Sequence, residues 1–193
     1  MVQCLLPKEK PGVRFPSPAP MIHIVMGLPG VGKTVAAKYL TRKLSGIRIN
    51  TDDLHGRLYP VKEYVNGDFP PDRLEQIYNT IGVLAFYLQK ANPSKHYFFE
   101  GSFRYKKQRE VVINQVADKR QPKILLIEVN DEGEIKKRIT KRHRQGAPST
   151  YEVYLEVKSG FEKPEKKVIT IDNSGSLRDL HKKLDNYISK VAF

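Results

Sequence analysis

Apolar positions along the chain fall into two alternating spacings. Short, nearly continuous apolar runs at 21–26 ("MIHIVM"), 46–50 ("GIRIN"), 95–102 ("KHYFFEGS"), 122–130 ("PKILLIEVN") and 166–174 ("KKVITIDNS") have the length and β-branched or aromatic content of buried strands. Between them the spacing widens to three and four. "KTVAAKYLTRKL" puts apolar side chains at 36, 37, 40 and 44, and the closing segment 176–190 puts them at 177, 180, 184, 187 and 188, each a stripe on one helix face. Further helices are predicted at 72–92, where Pro93 stops the run, at 104–119, at 132–144, and near 150–159 beyond the break "QGAPS". Strands alternating with helices predict an α/β domain with a parallel sheet covered on both faces. Ligands in such sheets sit at the carboxyl ends of the strands, which directs attention to "NTDD", "EGS" and "VNDEG" after the second, third and fourth runs.

No periodic pattern covers the first twenty residues, which carry prolines at 7, 11, 16, 18 and 20 and read as a disordered or extended arm before a single domain at 21–193. A chain of 193 residues is long enough for a real core and too short for two ordinary enzymes. Cys4 is the lone cysteine, which excludes an internal disulfide and a cysteine-based zinc cluster. No apolar run reaches membrane-spanning length and the N-terminus lacks a signal-peptide core, so the expectation is a cytoplasmic protein without a membrane partner. The net charge of +13 attracts polyanions, and makes a nucleic-acid-binding face one reading and a merely soluble basic surface the other.

The most specific motif is "GLPGVGKT" at 27–34: Gly27, four residues, then Gly32, Lys33 and Thr34. The glycines let consecutive backbone N–H groups turn inward on phosphate oxygens, Lys33 reaches the β- and γ-phosphates, and the Thr34 hydroxyl suits Mg²⁺. A strand precedes this loop and a helix follows it, as phosphate binding at a helix N-terminus requires. Gly27, Pro29, Gly30, Val31, Gly32, Lys33 and Thr34 are therefore the expected nucleotide-binding residues, with ATP and Mg²⁺ as the expected cofactors.

Asp52 and Asp53 follow the second strand, where either carboxylate is placed to accept a proton from an attacking hydroxyl while the other caps the turn or helix at "LHGRL". Glu100 ends a buried strand beside Gly101 and suits a water-mediated Mg²⁺ contact, so Thr34 and Glu100 form the expected metal set. Arg138 and Arg142, four residues apart, share a helix face and can close over a triphosphate.

Together "GLPGVGKT", "INTDDLHGR", "FFEGSFRYKKQR" and "IKKRITKRHRQGAPS" resemble the successive motifs of the P-loop kinases that include polynucleotide 5′-hydroxyl kinases, zeta-toxin-like kinases and AAA-type predicted kinases. That resemblance implies a P-loop NTPase fold: three α/β/α layers, a five-stranded mostly parallel sheet, and a helical lid at about 131–150. It also implies Asp52 as the general base, and Lys33, Arg138 and Arg142 as the other catalytic residues, Arg138 also touching nucleotide. In the polynucleotide kinases an arginine a few residues past the base holds the acceptor strand; here His55 stands nearest that spacing, with Arg57 two positions on. Asp53, Arg57, Glu100 and Arg109 make up the acceptor-side set, and Asn173 is expected near the nucleotide base. The implied activity is transfer of the γ-phosphate of ATP to a hydroxyl, on RNA or DNA or on a small molecule such as a sugar, nucleoside or antibiotic. The different class of reading is an ATP-dependent nucleic-acid-binding switch without transfer.

Overall fold

The computed structural model describes residues 21–59, 71–116, 121–147, 149–164 and 167–191. The expected arm at 1–20, the tail of the helix expected to 119, and Pro148 in the expected lid break lie outside them. The elements run β1 (Ile22–Met26), α1 (Lys33–Lys43), β2 (Ile47–Asn50), α2 (Thr51–Leu58), α3 (Pro71–Ala91), β3 (Tyr97–Glu100), α4 (Lys106–Gln115), β4 (Lys123–Glu128), α5 (Glu132–His143), α6 (Tyr151–Ser159), β5 (Val168–Asp172) and α7 (Leu177–Val191).

All five strands pair in parallel, in the order β2, β3, β1, β4, β5. The apolar runs look continuous because each strand is covered on both faces. On β1, Ile22, Ile24 and Met26 face one layer while Val25 faces the other; on β4, Ile124 and Leu126 face the first and Leu125 and Ile127 the second. The first layer is built from Ile77, Tyr78, Ile81 and Ala85 of α3 with Val112 of α4. The second is built from Ala36, Ala37 and Leu40 of α1 and Leu180, Leu184, Tyr187 and Val191 of α7, with Ile135, Ile139 and Tyr154 of α5 and α6 above them. This is the three-layer α/β/α P-loop fold, with a sheet that is wholly rather than mostly parallel.

The chain leaves β1 toward β2 on one side and leaves β3 toward β4 on the other, with β3 and β1 adjacent in the sheet. A crevice opens at the carboxyl ends of two such strands. Gly27 follows β1 and Glu100 ends β3 at this point.

Candidate active site

The loop after β1 wraps onto the start of α1. Gly32 is the N-cap of α1, in a left-handed conformation at φ 96°, and it supplies no side-chain cap. The orphan amides of the first turn therefore point into the loop, where an anion satisfies them. A side chain at Gly32 would collide with the amide of Asn173, and a Cβ at Gly30 would come within 2.8 Å of Ile139 on α5. Buried Asn173 donates from Nδ2 to the Val31 carbonyl at 2.8 Å, so the loop after β5 braces the phosphate loop from behind. The Nδ2 of Asn173, the residue expected near the nucleotide base, is thus engaged by the backbone of the phosphate loop.

Lys33 Nζ donates to the Leu28 carbonyl at 2.9 Å, bending back across the loop. Desolvation lowers its pKa and the charge of Arg142 pushes the same way, while Asp52 and Glu100 oppose them. These couplings gather Lys33, Asp52, Glu100 and Arg142 into one electrostatic neighbourhood. Glu100 is 1% exposed. Its Oε1 accepts from the Thr34 hydroxyl at 2.5 Å and its Oε2 from Arg48 at 3.1 Å, and Arg48 also donates to Asp53 at 3.2 Å. Thr34 and Glu100 thus bring two hard oxygen donors together beside the phosphate loop, a set that fits Mg²⁺, which keeps most of its waters and takes one or two protein oxygens.

The turn or helix expected at "LHGRL" is a helix that begins earlier, at Thr51. Neither aspartate caps it. The Asn50 side chain accepts from the amides of Asp52 and Asp53 at 2.8 and 2.9 Å, because β2 ends at Asn50 and the N-cap falls there. The expected division of one cap and one base is corrected accordingly: both carboxylates stand in the first turn, where the helix dipole favours them. Asp52 lines a cavity of about 130 Å³ together with Thr51, His55, Leu74, Ile77 and Tyr78 from α2 and α3. Ser102 and Arg104 after β3 and Val153, Glu156 and Val157 of α6 complete the lining.

His55 is buried against this cavity, and burial lowers its pKa, Arg73 adding to the effect and Asp52 opposing it. Arg57 lies on the exposed side of the same helix. Arg104 donates to Glu156 at 3.1 Å, joining the loop after β3 to α6. Phe103, between Ser102 and Arg104, has φ 44°, and its amide donates to the Tyr78 hydroxyl at 3.1 Å while its carbonyl accepts from Arg109 at 2.8 Å. Buried Arg109 thus braces a strained turn from behind. Burial pushes the Tyr78 phenol up to about 12, so it stays protonated beside Asp52.

On α5, Arg138 is fastened at both ends of its guanidinium, to Glu134 Oε1 at 2.8 Å and to the Asn173 carbonyl at 3.2 Å. Arg142, one turn on, is exposed. Sequence reasoning missed Asn50, Arg48, Tyr78 and Arg104. Of these only Arg48 carries a sequence signal, a charge inside the four-residue strand "IRIN" that demands a partner.

A family model described as an AAA domain matches residues 22–164. A comparison with curated proteins finds no match. The fold is similar to that of a gluconokinase from Sinorhizobium meliloti, at 17% identity and a TM-score of 0.67, over 93% of this chain and 95% of that one. It is similar to a sugar kinase from Janibacter sp. at 17% identity and a TM-score of 0.70, over 90% of this chain and 96% of that one. A third similar structure is the APS kinase of Mycobacterium tuberculosis in complex with AMPPNP and APS, at 15% identity and a TM-score of 0.64, over 90% of this chain and 98% of that one. At these identities the likeness is one of fold.

Proposed function

The chain belongs to this AAA-domain family, and on that premise we propose that it is a phosphotransferase moving the γ-phosphate of ATP to the hydroxyl of a small acceptor. The observation that carries the reading is Asp52, a carboxylate that borders the cavity between α2, α3 and α6 and is coupled electrostatically to Lys33 of the phosphate loop. Phosphoryl transfer asks the protein for alignment, charge neutralisation and a base for the nucleophile. The loop amides and Lys33 hold the triphosphate, Lys33 exchanging the Leu28 carbonyl for phosphate oxygens. Thr34 and Glu100 would hold Mg²⁺, which would supply neutralisation of charge on the phosphate oxygens. Asp52 takes the acceptor's hydroxyl proton, the acceptor oxygen bonds to the γ-phosphorus, and the bond from that phosphorus to the bridging oxygen breaks to release ADP. Arg142 meets the charge that develops on the transferring group, and Arg138 holds the lid helix against the Asn173 loop.

Apolar walls from Leu74, Ile77, Val153 and Val157 and a volume of about 130 Å³ favour a compact acceptor over an oligonucleotide end. The names of the similar structures, a gluconokinase, a sugar kinase and an APS kinase, lean the same way. The second reading is a polynucleotide 5′-hydroxyl acceptor, and what supports it is the net charge of +13. Transfer of labelled γ-phosphate from ATP to pooled sugars, nucleosides, hydroxy acids and aminoglycosides, beside 5′-hydroxyl RNA and DNA, tests both, with Lys33→Ala as the blank. Label on a small molecule is expected. Label on oligonucleotides alone would replace the first reading with the second, and ATP binding without transfer to anything would leave a nucleotide-dependent switch.

A further inference from the structure

Resting on the phosphotransferase reading, we infer that Arg48 is a positioning residue that ties the nucleotide end of the site to the helix carrying the base. Arg48 sits mid-way along β2, at the edge of the sheet, with its side chain 18% exposed. One guanidinium nitrogen donates to Glu100 at 3.1 Å and the other to Asp53 at 3.2 Å. Glu100 in turn accepts from Thr34 at 2.5 Å. A continuous polar chain therefore runs Thr34, Glu100, Arg48, Asp53, from the first turn of α1 to the first turn of α2.

The two arms differ in weight. Glu100 is 1% exposed, and a buried carboxylate is tolerated only where it is paired and hydrogen-bonded. The side chain of Asp53 is 67% exposed, so its arm is individually weak. What that arm contributes is direction. Asp53 shares the first turn of α2 with Asp52, and Asn50 already holds the amides of both. Arg48 adds a second, side-chain tether, which fixes the rotation of that turn relative to β3. A planar guanidinium serves the two carboxylates from separate nitrogens held in a fixed plane; a lysine offers its donors from a single point and does not impose that geometry.

The test uses Arg48→Met, Arg48→Lys and Asp53→Asn in the full chain. Hydrogen exchange read by peptide is expected to quicken at 50–58 by tenfold or more in Arg48→Met and less in Asp53→Asn, with 22–26 and 123–128 unchanged. With the acceptor found by the transfer panel, kcat is expected to fall at least tenfold in Arg48→Met and by a few-fold in Asp53→Asn, while KM for ATP stays within twofold. The double variant is expected to be no worse than Arg48→Met alone, since the two substitutions cut one tether. Arg48→Lys is expected to keep the wild-type melting temperature and recover only part of kcat. Wild-type kcat and wild-type exchange at 50–58 in Asp53→Asn, a surface substitution that does not threaten folding, would overturn the tie, as would additive losses in the double variant. Should the wild type transfer phosphate to nothing, the phosphotransferase reading fails, while exchange at 50–58 still decides whether Arg48 fixes α2.

Discussion

The hydroxyl of Thr34 donates to Oε1 of Glu100 at 2.5 Å, joining the first turn of α1 to the last residue of β3 across 66 positions of sequence. Two oxygens so placed form a ready pair for a hard cation, and the hydroxyl is the uncharged half, whose removal leaves the Arg48 pairing of buried Glu100 in place. Thr34→Val keeps the shape and deletes the oxygen. Titration calorimetry with AMPPNP is expected to show wild-type affinity in EDTA within about threefold, and a tenfold or greater loss of the affinity gained on adding Mg²⁺. An undiminished Mg²⁺ effect would remove Thr34 from the metal set.

Asp52 and Asp53 stand on the same helical turn, but only Asp52 lines the cavity; Asp53 is turned toward Arg48. Asp52→Asn keeps the size and removes the proposed base. The loss of general-base assistance corresponds to about 10²–10⁴ in kcat. The affinity for ATP is expected to stay within twofold, because the carboxylate acts on the acceptor. Steady-state kinetics against both substrates checks this. Retained turnover in Asp52→Asn with loss in Asp53→Asn would transfer the role to Asp53.

Which of these features the sequence discloses follows from how local their causes are. The phosphate loop is legible because spacing, glycines and flanking elements all lie in one continuous stretch, from Ile22 to Lys43. The carboxyl-end rule also finds "NTDD" and "EGS", since it needs only the order of strands and helices. The cap at Asn50 is not legible: "NTDD" presents four consecutive residues fit to cap a helix, and only the last pairing of β2 with β3, at Asn50 opposite Glu100, decides which one does. Arg48 becomes the partner of Glu100 through that same register, whereas Arg109, placed on the acceptor side by resemblance, is drawn behind the turn at Phe103. The Arg48 contact depends on which strands become neighbours, which no local window contains; the Arg109 contact spans six residues and depends on the turn taken at Phe103.

A second buried network lies on the layer of α7, built by His23 of β1. His23 bonds to the Tyr187 hydroxyl at 2.6 Å and to His96 at 3.0 Å, and is fully buried. Burial, with His96 and Lys123 adding to it, holds its pKa down at about 3 against an ordinary 6.5. The folded state therefore keeps His23 neutral while the unfolded chain takes up a proton below about pH 6.5. Stability is complete above that pH and is lost as the pH falls toward 3, by about 1.4 kcal/mol per unit for this one group. Urea unfolding between pH 7 and 4.5 is expected to show this slope, and to show a shallower one in His23→Val/Tyr187→Phe, which removes the group and its partner together. Equal slopes in the two proteins would assign the acid sensitivity elsewhere.

Arg138 and Arg142 of α5 differ in how they are held, and that difference predicts different kinetics. Arg138 is bound to Glu134 and to the Asn173 carbonyl, and Asn173 in turn braces Val31. Arg138→Ala therefore loosens the phosphate loop from behind, and is expected to raise KM for ATP about tenfold with a smaller effect on kcat. Arg142 is exposed at the next turn, and its charge adds to the desolvation that lowers the Lys33 pKa. In the proposed mechanism that guanidinium stabilises charge that appears only as the phosphoryl group moves, an effect that reaches 10³–10⁵ where it is fully developed. Arg142→Ala is expected to lower kcat by about a hundredfold or more with KM for ATP within threefold, a split read from steady-state rates over a range of ATP concentrations. Equal behaviour of the two variants would reduce "KRITKR" to a charged lid acting as one body, and full activity in Arg142→Ala would make it a solvated helix face.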